Sequence, residues 1–545
     1  MPNRSPRSHL ATHEVTNQAA ALEDVNLFAS DAILMSACDW SGASAHRERL
    51  AAFGARVGAA ETQAWAAQAN RVPPVFLPFD RFGRRIDEVE FHPAYHQLMA
   101  LGLEAGVSGA AWTVTEAGHA LHAALMFLMG QADYGVCCPM SMTYAVVPAL
   151  RASQEVAAEW APRVTACGYD PRFIPAAEKR AATMGMAMTE KQGGSDVRAN
   201  TTRAERQFDG SYVLTGHKWF CSAPMCDAFL TLAYADDGLT CFLVPRWRPD
   251  GVRNEIEIQR LKDKLGDRSN ASSEIEYRGA WAQRVGEEGR GVRTIIDMVQ
   301  LTRFDCIIGA AAQMRQAVSL AAWHVERRSA FQKKLIDQPL MRAVLADLAI
   351  DVEAAVALTF RLAQALDAAS DPREAALARI GLPLAKYLVT KRAPTVVVEA
   401  MECHGGAGYV EEGPMPRLFR QSPLNAIWEG SGNVIALDVL RALAREPDAR
   451  EALMDELRGG GDARFSAIAA EAETLLAKPS AEAECRRVVE RLALALAGAV
   501  LQRRGPSAAA DAFITRRLGG ASLTFGAGAG AIDENGLIER VALRV

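Results

Sequence analysis

The spacing of apolar residues changes twice along this 545-residue chain, and these changes constrain the fold more than any other feature. From Ala29 to Met184, alanine, leucine and methionine recur every three or four residues, which is the period of an amphipathic helix. From Met186 to about Trp281 the period falls to two, which is typical of strands. Helical spacing returns at Gly291 and runs past Ala444. We therefore predict a mostly helical protein with a central β-domain.

Four structural units follow from these changes in period. Residues 1–184 form an N-terminal helical domain, which begins with a loose arm. Residues 185–282 form the β-domain, residues 283–444 a C-terminal helical bundle, and residues 445–545 a C-terminal helical extension. With the resemblance described below, the expected architecture is a helical domain, a β-barrel-like domain and a helical bundle, plus the extension.

Glycine and proline mark the expected ends of individual elements. Asp209-Gly210 and Asp236-Asp237-Gly238 separate strand-like segments, so each predicts a hairpin. Gly459-Gly460-Gly461 is expected to be a linker. Proline breaks or kinks a helix, and we expect this at Pro73-Pro74, Pro139, Pro339, Pro383 and Pro394.

Charge and cysteine content exclude several classes of protein. The chain carries 60 Lys and Arg against 65 Asp and Glu, so any nucleic-acid surface must be local. The ten cysteines include no Cys-x-x-Cys pair, which favours reduced thiols and no zinc site. The N-terminus has no apolar signal region, and no run of about 18 apolar residues occurs. We expect a cytoplasmic protein that does not span a membrane.

Two histidine pairs raise the question of a metal site. His92 and His96 are four residues apart, and His119 and His122 are three apart, with Glu116 in a Glu-x-x-His spacing. A carboxylate-bridged metal pair in a helical bundle needs two such repeats on facing helices. A second repeat is not found, so we expect these histidines in helix packing and no metal.

The segment Ile427-Trp428-Glu429-Gly430-Ser431-Gly432-Asn433 holds the best candidate for a catalytic base. Flanking apolar residues are expected to remove water from Glu429 and raise its pKa, while the glycines permit close backbone approach. The alternative is a helix N-terminus, at which Ser431 or Asn433 is the cap and Glu429 a surface acid. These seven residues alone leave both interpretations open.

Two further motifs decide between them. The stretch from Gly185 to Asp196 contains Met-Thr-Glu-Lys-Gln-Gly-Gly-Ser-Asp, and Gly216-His217-Lys218-Trp219-Phe220-Cys221-Ser222 follows it. Together with the Glu429 segment, these motifs resemble the acyl-CoA dehydrogenase family. Their amino-acid sequences are most similar to its AidB-like branch, flavoproteins of the DNA alkylation response. The resemblance covers the chain from about Asn26 through the tail. It implies FAD as the cofactor.

The resemblance also assigns roles to individual residues. The family takes its base either from the aromatic-Glu-Gly turn or from a glutamate that precedes an arginine in an earlier helix. The earlier pair here is Thr302-Arg303, which leaves Glu429 as the catalytic base. The implied FAD contacts are Met188, Thr189, Ser195, Phe220, Ser222, Arg328, Gly405, Gly406, Gly430, Gly432 and Asn433. Glu190 and Glu402 are expected to be structural.

Some positions depart from the family pattern. Lys191 stands in place of the usual proline, Gln421 in place of aspartate, and Pro423 in place of a basic residue. These differences bear on the shape of the loops and on the binding of acyl-CoA, the substrate that the resemblance implies. Arg328 implies contact with the FAD of a neighbouring subunit, so a homo-oligomer is expected, and the family is typically tetrameric.

The tail contains pairs of adjacent arginines, although its net charge is zero. From Arg441 to Val545 there are 15 basic and 15 acidic residues. AidB-like proteins are described as binding double-stranded DNA through this region, which implies contacts from Arg486, Arg487, Arg491, Arg503, Arg504, Arg516 and Arg517. The alternative is a solvated helical face on which Glu482, Glu484 and Glu490 neutralise the arginines.

Two functions follow from the resemblance. The first is an FAD-containing protein of the adaptive response to DNA alkylation, which binds double-stranded DNA and has weak acyl-CoA dehydrogenase activity. The second is a metabolic acyl-CoA dehydrogenase without DNA binding. A flavin-free structural protein is a third class, which a colourless preparation would support.

Overall fold

The computed structural model describes residues 9–478, 481–520 and 522–544. It is mostly helical with one large central sheet, as the periodicity predicts. In the described part of the chain, no helix is both long enough and apolar enough to cross a bilayer.

The N-terminal region contains eight helices and a hairpin. Side chains set several of the helix starts: the Asp31 carboxylate accepts hydrogen bonds from the Ile33 and Leu34 N–H groups, and the His92 ring accepts one from Ala94. The elements are α1 (Ala32–Ser41), α2 (Arg47–Val57), α3 (Ala60–Arg71), β1 (Val75–Phe79), β2 (Arg85–Glu90), α4 (Pro93–Glu104), α5 (Ala110–Thr113), α6 (Gly118–Gly130), α7 (Tyr134–Leu150) and α8 (Gln154–Val164).

The hairpin of β1 and β2 was not predicted. Val75 pairs with Glu90, and the Asp80 carboxylate accepts hydrogen bonds from the Phe82 and Arg84 N–H groups in the turn. The signal was present, because Asp80 and Gly83 are residues typical of a tight turn. The helical period on both sides concealed it.

Several expected helix breaks do not occur. Pro139 lies inside α7, and the Thr143 hydroxyl donates a 2.7 Å hydrogen bond to its carbonyl. Pro383 and Pro394 both lie inside one long helix of the bundle. Pro339 does start a new helix, since proline is well tolerated in the first turn.

The central sheet closes on itself. Its strands are β3 (Met184–Ala187), β4 (Arg203–Arg206), β5 (Tyr212–Ser222), β6 (Ala228–Ala235), β7 (Gly238–Pro245), β8 (Ile256–Leu261) and β9 (Ser272–Val285). The strand order is β3-β6-β4-β5-β9-β7, β8 pairs with β9, and β6 also pairs with β7, so the sheet resembles a barrel. Both predicted hairpins are confirmed, β4 with β5 and β6 with β7.

Three helices of 29 to 37 residues dominate the bundle, and the described helices of the tail have 24 residues or fewer. The bundle contains α9 (Gly291–Arg327), the short pair β10 (Ser329–Ala330) and β11 (Lys333–Lys334), α10 (Pro339–Asp367), α11 (Pro372–Glu402), α12 (Met415–Gln421) and α13 (Gly432–Arg445). The tail contains α14 (Pro447–Gly459), α15 (Ala463–Leu476), α16 (Ala481–Arg504), α17 (Ser507–Phe513) and α18 (Glu534–Val541).

The tail packs tightly against the bundle. Helix α16 contacts α10 and α11, and α14 contacts α11. The glycine run at 459–461 is a short turn between α14 and α15, and a β-carbon on Gly460 would lie 2.6 Å from the Phe465 ring. The expected flexible linker is therefore a close-packed turn.

Buried ion pairs join distant parts of the chain. Arg315 in α9 is fully buried, and its Nε donates a 2.8 Å hydrogen bond to the Asp31 carboxylate that caps α1. Its Nη1 donates to the carbonyl of Val541 at the end of α18. A single guanidinium thus connects the N-terminal region, the bundle and the tail.

We expect Arg315→Met to lower the free energy of the first unfolding transition in urea by about 3–5 kcal/mol, because it leaves the buried Asp31 charge unpaired. The matched control is Arg290→Met, which removes an exposed arginine 3.8 Å from Glu287 and should cost less than about 1 kcal/mol. Equal losses in the two variants would contradict the role of Arg315.

Candidate active site

Glu429 lies in a strained turn between α12 and α13. Its φ angle is +55°, and that of Gly430 is +101°, so both residues adopt the left-handed conformation. A glutamate is rarely found there, and it persists only where surrounding contacts hold it. The turn is therefore maintained by its neighbours and not by local preference.

Helices α9 and α11 supply those contacts. The Thr302 hydroxyl donates a 2.8 Å hydrogen bond to Glu429 Oε2, and Arg303 Nε donates a 3.0 Å bond to the Glu429 carbonyl. Lys386 Nζ donates to the carbonyl of Gly430 at 2.7 Å. The earlier family position for a base, occupied here by Thr302, thus provides a hydrogen-bond donor to Glu429.

The pKa of Glu429 is raised above its ordinary value. Burial of the carboxylate is the largest cause, and the Thr302 hydrogen bond with the charges of Lys386 and Arg303 partly opposes it. The expected source of the burial was wrong in part, because Ile427 is 63% exposed. Packing against α9 removes the water instead.

The alternative helix-terminus interpretation is correct that Ser431 occupies the N-cap position of α13, but it does not describe Glu429. Helix α13 starts at Gly432, and the Ser431 side chain makes no capping hydrogen bond. Glu429 is half-buried and bound to Thr302, whereas a surface acid at a helix end would be solvated. The Glu429 carboxylate is consequently held by the bundle and not free in solvent.

The loop after β3 and the end of β5 lie against each other. The Trp219 N–H donates a 2.8 Å hydrogen bond to the Thr189 carbonyl, and the Asn200 side chain donates to the Met188 carbonyl at 3.0 Å. Ser195 is exposed, and Phe220 is 48% exposed. The loop that carries Met188 and Thr189 therefore contacts the end of β5 that carries Phe220 and Ser222.

A buried ion pair fixes this arrangement. Lys218 Nζ lies 2.8 Å from Glu190 Oε1, and both side chains are fully buried. Burial alone would raise the pKa of Glu190, but the Lys218 charge and hydrogen bonds from Thr201 and Thr202 bring it below its usual value. Glu190 is structural, in agreement with the prediction.

Polar contacts connect the β-domain surface to the Glu429 side of the molecule. Ser222 and Ser272 hydroxyls lie 3.4 Å apart, and Lys264 Nζ donates to both Ser272 Oγ and Asp267 Oδ2. The Asp267 N–H then donates a 2.5 Å hydrogen bond to Gln421 Oε1 in α12. Gln421, a departure from the family pattern, acts here as an acceptor between domains.

The predicted glycine contacts fall into two environments. Beside Gly405, whose φ is +59°, and Gly406, a β-carbon would meet only open space, so the backbone is approachable. At Gly432 a β-carbon would lie 2.7 Å from Lys391 Nζ. Asn433 accepts a 2.9 Å hydrogen bond from Arg486 Nη1 in the tail.

The Arg328 side chain makes a hydrogen bond within its own chain. Its guanidinium donates to the Asn17 carbonyl, and Asn17 also exchanges hydrogen bonds with the backbone of Ser329. Contact with a neighbour's cofactor, which the resemblance implies, would have to share this arginine with the N-terminal arm.

The seven tail arginines do not form one surface. Arg516 is buried, and Arg517 donates to Asp347 and Asp351 in α10 at 2.9 and 2.8 Å. Because these two side chains are in the interior, their prediction as DNA contacts is not supported by the geometry. Arg486 is exposed, and its Nη1 donates a hydrogen bond to Asn433.

The other four arginines lie on α16 with different neighbours. Arg487 is held by both Glu471 and Glu484, and Arg491 Nε lies 2.6 Å from Glu471 Oε2. Arg503 lies 3.0 Å from Glu456, and Arg504 is exposed. Pairing with glutamates was the alternative prediction, although Glu471 was not among those named.

The histidine pairs have protein partners. His122 Nε2 lies 2.7 Å from Asp305 Oδ1, and His119 Nδ1 lies 2.7 Å from the Tyr144 hydroxyl. His96 Nδ1 lies 2.8 Å from the Tyr169 hydroxyl. No cluster of three metal-ligating side chains is found within the described ranges.

Sequence reasoning missed the roles of Lys386 and Lys391. Both lie in α11, and Lys386 is almost completely buried among apolar residues. A lysine on the apolar face of a helix was the available signal, because such a residue rarely stays buried without a local function. Burial lowers the pKa of Lys386, and nearby Cys306 and Glu429 oppose this.

Three family models match successive parts of the chain. They are the adaptive response protein AidB N-terminal domain over residues 17–171, the acyl-CoA dehydrogenase middle domain over residues 185–280, and the acyl-CoA dehydrogenase C-terminal domain over residues 289–444. A putative acyl-CoA dehydrogenase AidB of Escherichia coli (strain K12) is 45% identical over 482 residues, which cover 87% of this chain and 88% of that protein.

Solved structures show the same fold along most of the chain. Caenorhabditis elegans ACDH-11, crystallised in complex with C11-CoA, has a TM-score of 0.83 at 26% identity and covers 99% of this chain and 94% of its own. The apo form of Bd2924 has a TM-score of 0.82 at 29% identity, with 90% and 99% covered. The chain therefore belongs to the acyl-CoA dehydrogenase family, in its AidB-like branch, and is an FAD-dependent oxidoreductase of that type.

Proposed function

We propose that this protein oxidises an acyl-CoA thioester, or a related small molecule, with Glu429 as the base. The observation that carries the proposal is the half-buried Glu429 carboxylate, which has a raised pKa and is oriented by Thr302. A base with a pKa nearer to neutral pH than an ordinary carboxyl group abstracts a proton more effectively.

The residues present fit a flavin. The accessible Phe220 ring offers an apolar face, and Thr189 with Ser222 offers polar groups beside it. Open space beside Gly405 and Gly406 permits close approach to the backbone. We assign Met188, Thr189, Ser195, Phe220 and Ser222 to one part of the cofactor. We assign the rest to Arg328, Gly405, Gly406, Gly430, Gly432 and Asn433.

FAD, when bound, supplies the acceptor for the hydride. Glu429 removes the proton from the carbon next to the thioester carbonyl. Thr302 keeps Oε2 oriented, and the Arg303 and Lys386 charges favour the ionised carboxylate before the proton arrives. Arg303 is itself held by Asp438, 2.9 Å away, so the turn has a rigid support.

Exposed apolar side chains support a homo-oligomer, and we propose a tetramer. Phe331 is 93% exposed, Leu340 84% and Tyr409 79%. Phe331 lies three residues after Arg328, the position that the family directs toward the FAD of a neighbouring subunit. Burial of such side chains is the main driving force of subunit association.

A second activity, duplex DNA binding in the cytoplasmic response to alkylation, has one structural feature in its favour. Arg491, Arg503 and Arg504 are exposed on α16, and we call them the exposed α16 arginines. Arg491 pairs with Glu471 and Arg503 with Glu456, whereas no described carboxylate lies at ion-pair distance from Arg504. An exposed guanidinium can contact a phosphate. The alternative is a metabolic dehydrogenase that does not bind DNA.

Replacement of the base tests the first activity. Glu429→Gln should slow bleaching of the oxidised flavin by acyl-CoA thioesters, C11-CoA among them, by about 10²–10⁴-fold, because general-base catalysis is lost. Stopped-flow absorbance measures the rate. Glu402→Gln, which removes a carboxylate from the end of α11, is the matched control and should react normally. An unchanged rate for Glu429→Gln would refute the assignment.

The dependence on pH tests the role of Thr302. Since Glu429 must be ionised to act, the rate of flavin reduction should rise with pH through the raised pKa of Glu429. Thr302→Val removes a hydrogen bond that favours the ionised form, so the rise should move to higher pH. Thr395→Val, which removes the hydroxyl of an exposed helix residue, should leave the profile in place. A shift to lower pH in Thr302→Val would contradict the geometry.

Salt dependence tests the second activity. Binding to a labelled duplex should weaken steeply as salt rises. The double variant Arg491→Gln with Arg504→Gln should lower the slope of log K against log salt by about two, since each lost phosphate contact removes about 0.9. Arg203→Gln with Arg206→Gln changes the same charge on the β-domain and should not alter the slope. Absence of salt-dependent binding in the unmodified protein would support the metabolic alternative.

A further inference from the structure

The tail places one cation beside the predicted edge of the cofactor. Arg486, near the start of α16, donates from Nη1 to Asn433 Oδ1 at 2.9 Å and from Nε to the Tyr387 hydroxyl at 3.3 Å. Tyr387 belongs to α11, and Asn433 to the first turn of α13. A residue of the C-terminal extension thus reaches the same turn that holds Glu429.

A second cation stands next to it. Lys391 Nζ lies over the first turn of α13, where the absence of a side chain on Gly432 leaves room for it. Burial is the main cause of the lowered pKa of Lys391, and the neighbouring Arg486 charge lowers it further, while Glu490 opposes both. Two positive charges this close repel each other, so an anion between them would lower the energy of the pair.

The space beside these cations is open. A cavity of about 540 Å³ is lined by Lys391, Arg486, Ser431, Gly432 and Asn433. An adjoining cavity of about 360 Å³ shares Lys391 and Arg486 and also contacts Glu490. Unlike its neighbour Arg487, Arg486 has no carboxylate at ion-pair distance among the residues described.

We infer that Arg486 and Lys391 hold the phosphate-bearing part of the flavin dinucleotide, so that the tail helps to retain the cofactor. The inference rests on the proposed function, because Gly432 and Asn433 are proposed FAD contacts. Arg486 acts in two ways: it orients Asn433 through the hydrogen bond to Oδ1, and it offers its remaining N–H groups and its charge to a phosphate. Arg486 is therefore a positioning residue for FAD and is not counted among the exposed α16 arginines.

The experiment measures the affinity of flavin-depleted full-length protein for FAD and for riboflavin, followed by quenching of flavin fluorescence. Riboflavin lacks phosphate, so it reports the ring contacts alone. Arg486→Gln should weaken FAD binding by about ten- to hundredfold, the loss expected for a hydrogen bond between charged groups. Its affinity for riboflavin should stay the same, and Arg486→Lys should recover part of the loss because it restores the charge.

Arg487→Gln is the matched control, because it removes the same charge at the next residue. The Arg487 side chain is held by Glu471 and Glu484. This variant should leave both affinities unchanged. Inorganic pyrophosphate should compete with FAD in the unmodified protein and compete more weakly in Arg486→Gln.

The outcomes separate this inference from the proposed function. If the unmodified protein does not bind FAD, the proposed function fails. If it binds FAD and Arg486→Gln binds it equally well, only the present inference fails. A lower melting temperature of flavin-free Arg486→Gln with unchanged FAD affinity would show that Arg486 merely fastens α16 to α13, and would also overturn it.

Discussion

The hydrogen bond from Thr302 to Glu429 is the contact on which the candidate site depends. It joins the middle of α9, the longest of the bundle helices described above, to a turn whose backbone would be unfavourable by itself. Arg303 and Lys386 hold the backbone of the same turn from two helices. The carboxylate is thus kept partly out of water by packing that involves the whole bundle. Its basicity is a property of the tertiary structure.

The same helix also organises the rest of the molecule. Along α9, Thr302 and Arg303 hold the Glu429 turn, and Asp305 contacts His122 of α6. Three turns later, Arg315 connects the N-terminal region with α18. Helix α9 thus contacts the Glu429 turn, the N-terminal region and the tail. This arrangement explains why polar residues are buried along a helix that is otherwise apolar.

Sequence reasoning was strong for the fold and uneven for the site. The change of period located the sheet between the helical regions, because side chains alternate between the two faces of a strand. It could not reveal the β1–β2 hairpin, which is short, or the continuity of α7 and α11 through their prolines, which tertiary packing sustains. The sequences of the motifs predicted Thr189, Phe220 and Glu429 as site residues. The partners of the tail arginines depend on helix rotation and long-range packing, so Arg516 and Arg517, which lie in the interior, were grouped with exposed arginines.

The bonds of Arg517 with Asp347 and Asp351 bear on how this chain is divided into parts. Both aspartates are buried in α10, and the Gly526 N–H of the tail also donates to Asp347. Removal of the last residues would leave two carboxylates inside the bundle with fewer counter-charges, a state that a folded protein tolerates poorly. The extension is consequently not a detachable module. A shortened chain that lacks the extension would need apolar replacements at both aspartates in order to fold stably.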